Sequence, residues 1–157
     1  MASESIYYRQ YQSEDDLPAI SRLIEKDLSE PYSIFTYRFF VNPWPQLCQL
    51  CFTAEHILIG VVVCKVDQHK SGTTRGYIGM LAVEKEYRKM KIATRLVETV
   101  LERMRELQVD ECVLEAELSN LAALQFYRNL GFIRSKRLSY YYLNGSEAFR
   151  LKKPLRP

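Results

Sequence analysis

The sequence predicts an α/β fold of the α+β kind, in which a mixed, mostly antiparallel sheet is flanked by four helices. Three observations lead to this prediction. The hydrophobic period alternates between that of strands and that of helices, in the order β-α-α-β-β-β-α-β-α-β-β. A strand-helix-strand unit between residues 76 and 118 requires a right-handed crossover and two parallel strands. The 157 residues have the length of one ordinary domain, so we expect residues 1–157 to form a single domain.

The N-terminal half predicts a strand, two helices and three further strands. A strand over residues 6–11 is followed by Ser13, which can cap a helix with apolar residues at 20, 23, 24 and 28. A second helix runs from Ser33 to about Val41 and ends at the "NPWP" segment, because two prolines so close together cannot continue a helix. Strands are expected near 46–54, 57–67 and 74–83, the last two joined as a hairpin.

The C-terminal half begins with a change to helical period. Apolar residues recur at three and four from Ile92 to Leu107, with charged residues on the opposite face. A strand over residues 111–118 leads to "SN" at 119–120, which can cap a shorter helix that Gly131 ends. The segments "FIRSKRLSYYYL" and "EAFRLKKPL" then predict a closing hairpin around the "NGS" turn at 144–146.

Composition and charge exclude several classes of protein. The chain is 47% hydrophobic and 26% charged, and its most apolar run, residues 57–64, is far shorter than the ~20 residues that cross a bilayer. The N-terminal segment lacks the pattern of a secretory signal, so we expect a cytoplasmic protein without a membrane partner. A net charge of +3 indicates mild attraction to anions rather than binding of a polyanion.

The four cysteines are expected to be buried, reduced thiols. Cys48, Cys51 and His56 have the spacing with which a zinc knuckle begins, but the pattern fails at its fourth ligand. Cysteines among strand-like apolar residues usually behave as small buried hydrophobes. The sequence therefore predicts no metal site, and His56 and His69 are interpreted as surface or loop residues.

The turn "YRKMKIAT" at residues 87–94 is a candidate anion site. It lies between the first strand and the helix of the strand-helix-strand unit, where ligands of such units bind. Unpaired N–H groups and the positive end of the helix dipole favour an anion there. No glycine occurs from Glu84 to Leu130, which excludes a Walker loop and a dinucleotide fingerprint. The alternative for this basic cluster, and for those at 134–137 and 150–156, is an ordinary solvated surface.

Two long segments resemble the Gcn5-related N-acetyltransferase (GNAT) family. "RGYIGMLAVEKEYRKMKIATRLVETVLERM" contains the place of the Arg/Gln-x-x-Gly-x-Gly/Ala signature, at Arg88 to Ala93, and "LEAELSNLAALQFYRNLGF" contains Asn-x-x-Ala-x-x-x-Tyr from Asn120 to Tyr127. Segments 27–47, 75–83 and 136–155 resemble, within that family, the catalytic subunits of NatC-type N-terminal acetyltransferases. The resemblance covers nearly the whole chain and implies the GNAT fold, with acetyl-CoA bound at the strand-helix-strand unit.

The resemblance implies an N-terminal α-amino acetyltransferase that acetylates the N-terminal Met of proteins starting with Met-Leu, Met-Ile, Met-Phe or Met-Trp. The acetyl group would pass by direct attack in a ternary complex, which requires a base for the amine and an acid for the thiolate. Glu115 matches the base, acting through water, and Tyr127 matches the acid, while Glu30 is a second carboxylate near the amine. The alternative interpretations are an exposed strand carboxylate for Glu115 and a buried helix tyrosine for Tyr127.

The same resemblance assigns binding residues. The acetyl group and pantetheine arm would lie along the backbone of Met80 to Val83, the pyrophosphate at the following turn, and the rest of the coenzyme at the second motif. The cofactor-binding residues are expected to be Leu81, Ala82, Val83, Arg88, Lys89, Met90, Lys91, Ile92, Ala93, Thr94, Asn120, Ala123 and Tyr127. A pocket for Met and a bulky second residue is apolar, and its candidates are Tyr32, Phe35, Tyr77, Tyr140 and Tyr141. Alternation places Tyr140 and Tyr142 on one face and Tyr141 on the other, so either set can face the peptide.

The resemblance also implies partners, and one residue departs from it. Partners would be nascent polypeptide N-termini, a large auxiliary subunit, a small Sm-like subunit and the ribosome. Lys91 stands where the family usually has glycine, because the backbone there approaches the pyrophosphate. Two other functions stay open: a catalytically weakened pseudoenzyme or scaffold subunit that keeps the fold, and a same-fold acetyltransferase of lysine or a small amine.

Overall fold

The structure, a computed structural model, describes residues 5–27, 32–139, 141 and 145–156. Its elements follow the predicted order. The strands are β1 (Ile6–Gln10), β2 (Cys48–Thr53), β3 (Leu58–Gln68), β4 (Thr74–Val83), β5 (Glu111–Glu117), β6 (Ile133–Leu138) and β7 (Ala148–Pro154). The helices are α1 (Leu17–Asp27), α2 (Ile34–Val41), α3 (Ile92–Glu106) and α4 (Leu121–Asn129), with short 3₁₀ helices at Glu14–Asp16, Pro45–Leu47 and Lys85–Met90.

The seven strands form one mixed sheet in the order β1-β2-β3-β4-β5-β7-β6. The pairs β1–β2, β2–β3, β5–β7 and β6–β7 are antiparallel. The predicted parallel pair is β4 with β5, joined from Arg75 to Tyr77 on one strand and from Glu111 to Val113 on the other. The fold class, the strand-helix-strand unit and the pairing of the last two strands are therefore confirmed.

Capping residues explain where the helices begin and end. The side chain of Ser33 accepts a hydrogen bond from the backbone N–H of Thr36 at the start of α2, and that of Asn120 accepts one from Ala123 at the start of α4. Gly131 follows α4 with a φ of 96°, a left-handed conformation that favours glycine. Ser13 caps the 3₁₀ turn that leads into α1 rather than α1 itself. These starts and stops agree with the prediction to within a few residues.

The described residues within Met1–Lys65 and Ile78–Arg103 form a first compact unit. Its core contains the apolar faces of α1 and α3, including the fully buried Ile92 and Leu96. A Cβ at Gly60 on β3 would come within 2.8 Å of a methyl carbon of Ile92, so α3 can approach the sheet closely only because this position is glycine. This contact fixes the first turn of α3 against β3.

The described residues within Val66–Tyr77 and Met104–Pro157 form a second compact unit. In it, β5 lies between β4 and β7, and its residues Cys112, Leu114 and Ala116 are buried. The alternate residues of the strand, including Glu115, face the other side of the sheet.

The cysteines, the candidate metal ligands and the apolar lengths of the helices complete the description of the fold. Cys48, Cys51, Cys64 and Cys112 are buried with free thiols, which confirms their predicted burial. Within the described ranges, no cluster of three or more His, Cys, Asp or Glu side chains could hold a metal ion. No helix in that part of the chain is long and apolar enough to cross a membrane.

An ion pair at the start of the first unit is expected to make stability depend on acid pH. Burial alone would raise the pKa of Asp16, but two hydrogen bonds from Arg9, at 2.8 and 3.1 Å, and one from the backbone of Gln12 outweigh it and hold that pKa below its usual range. A carboxyl whose pKa is lower in the folded state stabilises the fold above its unfolded pKa of about 4, and this contribution is lost as the pH falls through the folded value.

Asp16→Asn is therefore expected to lower the free energy of unfolding at pH 7 by about 1–2 kcal/mol, with a smaller difference from the wild type at pH 3. Asp15→Asn is the control, because Asp15 is the exposed neighbour, and it should change stability little at either pH. Urea unfolding at pH 7 and pH 3 measures both variants. An equal loss for Asp16→Asn at both pH values would contradict the role of its charge.

Candidate active site

The predicted anion turn is a 3₁₀ helix followed by one left-handed residue. The sequence predicted an irregular turn here, whereas residues Lys85–Met90 form a 3₁₀ helix and Lys91 then has φ 58° and ψ 30°. From Lys91 the chain enters α3, because its carbonyl accepts a hydrogen bond from the N–H of Arg95 at 3.1 Å. The N–H groups of the first turn of α3 thus point out of the helix at its positive end.

The conformation of Lys91 gives a physical reason why the family signature usually has glycine at this position. Glycine adopts a positive φ without steric cost, whereas an L side chain there costs about 1–2 kcal/mol. The side chain of Lys91 is exposed. The family resemblance explains the usual glycine by the close approach of the backbone to the pyrophosphate. The positive φ of this residue adds a conformational reason.

Lys91→Gly is expected to raise the free energy of unfolding by up to about 1 kcal/mol, because it removes the strain of a left-handed lysine while adding freedom to the unfolded chain. The matched control is Lys89→Gly in the preceding 3₁₀ helix, where φ is not positive and a glycine should lower stability. Thermal and urea unfolding measure both. A loss of stability in both variants would contradict the strain at Lys91.

The turn is tied to the end of α1 by two ion pairs that the sequence did not predict. Lys26 Nζ lies 2.9 Å from Glu84 Oε2, and the guanidinium of Arg88 pairs with Asp27. Arg88 also donates through Nε to the carbonyl of Val83 at 3.1 Å. The side chain of Arg88 therefore holds the turn after β4 in place. Because this side chain is engaged within the protein, Arg88 can contribute to anion binding through its backbone N–H.

An open cavity of about 570 Å³ borders the first turn of α3. Met90, Lys91 and Thr94, three of the predicted cofactor-binding residues, line it together with Arg95. The guanidinium of Arg95 lies 4.7 Å above the ring of Tyr8, which holds this cation beside the helix. The other predicted residues of the turn are the exposed Lys89, the buried Ile92 and the half-buried Ala93.

Glu115 is the centre of a cluster of polar side chains in the second unit. Its side chain is 6% exposed. The hydroxyl of Tyr77, on β4, donates to Glu115 Oε1 at 2.9 Å, and the hydroxyl of Tyr141 donates to the same oxygen at 2.7 Å. On the other side, Nε of Arg150 lies 3.7 Å from Glu115 Oε2. Two phenol donors and one guanidinium therefore surround this carboxylate.

The two tyrosines are held in their protonated, donating form. The pKa of Tyr141 is raised to about 12, first by burial and then by the hydrogen bond to Glu115, while Tyr77 and Arg150 oppose the rise. Burial also raises the pKa of Tyr77 well above its ordinary value, as does the charge of Glu115. Both hydroxyls therefore donate to Glu115 throughout the neutral pH range. The interpretation of Glu115 as an exposed strand carboxylate is wrong.

Other predicted residues of the second unit lie on α4. The side chain of Asn120 is engaged in capping this helix, through the 3.1 Å bond from the N–H of Ala123. Tyr127 is buried, 7% exposed, with its ring edge-on to those of Phe126 and Phe132 at centroid distances of 5.0 and 5.5 Å. The buried position of Tyr127 agrees with either of its two predicted interpretations.

The remaining predicted residues divide between described and undescribed parts of the chain. At the end of β4, Leu81 is half-buried and Ala82 and Val83 are buried. Tyr32 lies edge-on to Tyr37 at 6.1 Å, and Phe35 is 72% exposed on α2. Glu30 and Tyr140 lie outside the described residues. The individual roles of all these side chains stay predictions.

Sequence reasoning missed Arg150 at this site. The sequence does show a basic run in the closing hairpin. The alternation of side chains along a strand, however, predicts which face a residue lies on and not which residue it faces on the next strand. The observed register places Arg150 directly opposite Glu115.

Residues 17–132 match the Acetyltransferase (GNAT) family. This match covers more than half of the chain and shows that the chain belongs to that family of acetyltransferases.

Three relatives are more specific. The chain is 54% identical over 152 residues to human N-alpha-acetyltransferase 30, covering 97% of this chain and 42% of the relative. It is 48% identical over 147 residues to N-alpha-acetyltransferase 30 of Saccharomyces cerevisiae, covering 91% of this chain and 84% of the relative. A chain in the crystal structure of the NatC complex bound to Gag peptide and CoA is 46% identical, with a TM-score of 0.92 over 96% of this chain and 99% of that chain. The chain thus spans well under half the length of the human relative.

Proposed function

We propose that this chain is the catalytic part of an N-terminal α-amino acetyltransferase that transfers the acetyl group of acetyl-CoA to the N-terminal methionine of proteins starting Met-Leu, Met-Ile, Met-Phe or Met-Trp. The observation that supports this most strongly is the 46–54% identity, over more than nine-tenths of the chain, to N-alpha-acetyltransferases and to a chain of the NatC complex. That complex was crystallised with CoA and a peptide, which are the two ligands that the proposal requires.

The residues of the first unit fit a coenzyme with phosphates. The outward N–H groups at the start of α3 and the exposed basic side chains of Lys89 and Lys91 favour a pyrophosphate. The ladder of β4 with β5 covers Arg75 to Tyr77, and Ile78 to Val83 continue beyond it, where backbone groups can bond an extended pantetheine arm. When bound, acetyl-CoA supplies a thioester carbonyl that an amine can attack.

The residues of the second unit fit the proton transfers of direct attack. The amine nitrogen forms a bond to the acetyl carbon as the carbon–sulfur bond breaks, so one proton must leave the nitrogen and one must reach the sulfur. Glu115, held by its two phenol donors, accepts the amine proton through water. Tyr127 donates a proton to the thiolate. Tyr77 and Tyr141 fix Glu115 while their rings contribute to an apolar pocket for the methionine.

The proposal extends to partners and location. By similarity to the NatC chain, the protein would work with auxiliary subunits, a large one and a small Sm-like one, on nascent chains at the ribosome in the cytoplasm. The side chains of Ile34, Phe35 and Phe39 expose apolar area along α2, which is consistent with an auxiliary subunit in this region.

A peptide panel tests the proposed function. The chain, alone and with its auxiliary subunit, is incubated with acetyl-CoA and peptides that start Met-Leu, Met-Lys or Ser-Glu. We expect acetylation of the Met-Leu peptide at a rate at least about tenfold above the others, since a bulky apolar second residue fills an apolar pocket. Equal rates on all three would reject this specificity. Calorimetry of acetyl-CoA binding separates the pseudoenzyme, which binds without turnover, from an active enzyme.

A further inference from the structure

Arg150 faces the proposed base from the neighbouring strand. In the antiparallel ladder of β5 with β7, Glu115 and Arg150 are direct cross-strand partners. Their side chains lie on the same face of the sheet, with Nε of Arg150 3.7 Å from Glu115 Oε2. The side chain of Arg150 is 31% exposed and that of Glu115 is 6% exposed. A charge pair this close to the interior is weakly screened by solvent.

The two carboxylate oxygens of Glu115 have different surroundings. Oε1 accepts both phenol hydrogen bonds. Oε2 is buried and has no hydrogen-bond partner among the described residues, and the same holds for Nε of Arg150. A buried ionised oxygen without a hydrogen bond is costly. In the described part of the chain, the charge of Arg150 is the favourable contact that Oε2 receives.

We propose that Arg150 is a positioning residue: its guanidinium holds Oε2 of Glu115 toward β7, so that Oε1 stays at the tyrosine hydroxyls, in the orientation in which the carboxylate accepts the amine proton through water. This inference rests on the proposed function, because it gives Arg150 a part in the action of Glu115 as the base. Arg150 touches the carboxylate and acts on the reaction through it.

The other charged groups near this pair lie on the same two strands and on the strands beside them. From β6, Lys136 is in register with Arg150 on the side away from Glu115. Along β5, Glu117 follows Glu115 on the same face, and Glu111 is paired with Arg75 at 2.6 Å. From β4 and the closing loop, Glu115 meets the neutral phenols of Tyr77 and Tyr141. Lys152, two residues along β7 on the same face, is opposite Val113, so among the described residues Arg150 is the cation that lies within 4.0 Å of Glu115.

Three variants test the proposal by kinetics. Arg150→Met removes the charge and keeps an aliphatic stem, Arg150→Lys restores a charge, and Lys136→Met removes a charge one strand further away. We expect Arg150→Met to lower kcat at pH 7 about tenfold with an unchanged KM for acetyl-CoA, because Glu115 is then no longer held in its position. Arg150→Lys should stay within about threefold of the wild type, and Lys136→Met within about twofold.

A second measurement does not depend on activity. In protein labelled with carboxyl-¹³C glutamate, with the Glu115→Gln variant to assign the signal, the carboxyl resonance of Glu115 at pH 7 should move in Arg150→Met and stay near its wild-type position in Arg150→Lys and Lys136→Met. An unchanged resonance in Arg150→Met, or an unchanged kcat with lowered thermal stability, would overturn the proposal and make Arg150 a purely structural residue. A wild type that transfers no acetyl group would reject the proposed function, while the resonance would still decide the effect of Arg150 on Glu115.

Discussion

Glu115→Gln is expected to lower kcat for acetylation of a Met-Leu peptide by at least about 100-fold, because general base catalysis contributes about 10²–10⁴ to such rates. Glutamine has the shape of glutamate and can still accept the hydroxyls of Tyr77 and Tyr141, but it cannot accept the amine proton. The KM for acetyl-CoA should change little, because the proposed role of Glu115 is to accept the amine proton and not to bind the coenzyme. Initial rates with saturating substrates measure the effect.

The matched control is Glu117→Gln, two residues further along β5 on the same face of the sheet. It makes the same chemical change without touching the tyrosine cluster, and it should retain activity within about threefold. Circular dichroism and thermal unfolding check that both variants fold. A Glu115→Gln enzyme as active as the wild type would show that another group takes the proton.

Removal of the two phenol hydroxyls is expected to have the second largest effect. Tyr77→Phe and Tyr141→Phe should each lower kcat about tenfold, since a hydrogen bond to a charged group contributes about 1.5 kcal/mol or more. Because both hydroxyls donate to Glu115 Oε1, the double variant should lose less than the product of the two single losses, about 30-fold in total.

The pH dependence distinguishes these tyrosines from a group that loses its proton during the reaction cycle. The pKa of Tyr141 is raised to about 12, so its hydroxyl remains protonated from pH 6 to pH 10 and cannot cause an alkaline decline of the rate in that range. Tyr11→Phe, a buried tyrosine of the first unit, is the control for loss of a phenol elsewhere. Full activity of the double variant would contradict the role of the cluster.

The order of the elements could be predicted because it depends on local sequence. Helices α2 and α4 begin where Ser33 and Asn120 cap them, and α4 ends at Gly131, since each of these residues acts on the backbone beside it. The hydrophobic period of α3 likewise shows directly in the sequence. Confirmed predictions are concentrated where the physical cause lies within a few residues.

The environment of the site depends on long-range pairing and could not be predicted in the same way. Arg150 could not be placed opposite Glu115 from the residue pattern, because the register of β5 with β7 is set by the packing of the whole sheet. The ion pairs of Lys26 with Glu84 and of Asp27 with Arg88 join residues about sixty positions apart. The left-handed conformation of Lys91 could not be predicted from the sequence, because lysine rarely adopts a positive φ.

Family similarity supplied roles that residue patterns alone did not. Glu115 and Glu117 share a face of β5, so alternation by itself left both as candidates. The structure separates them by contacts, since Glu115 has the tyrosine hydroxyls and Arg150 around it. Agreement between the motif and the contacts is what makes Glu115 the strongest candidate for the base.

The most direct test of the central claim is to locate the acetyl group by mass spectrometry. The protein, with its auxiliary subunit, is incubated with acetyl-CoA and a peptide that begins Met-Leu and carries an internal lysine, and the modified peptide is fragmented. We expect one acetyl group, on the α-amine of the methionine, and its loss with Glu115→Gln. Acetyl groups on the lysine side chain, or none on either amine, would contradict it.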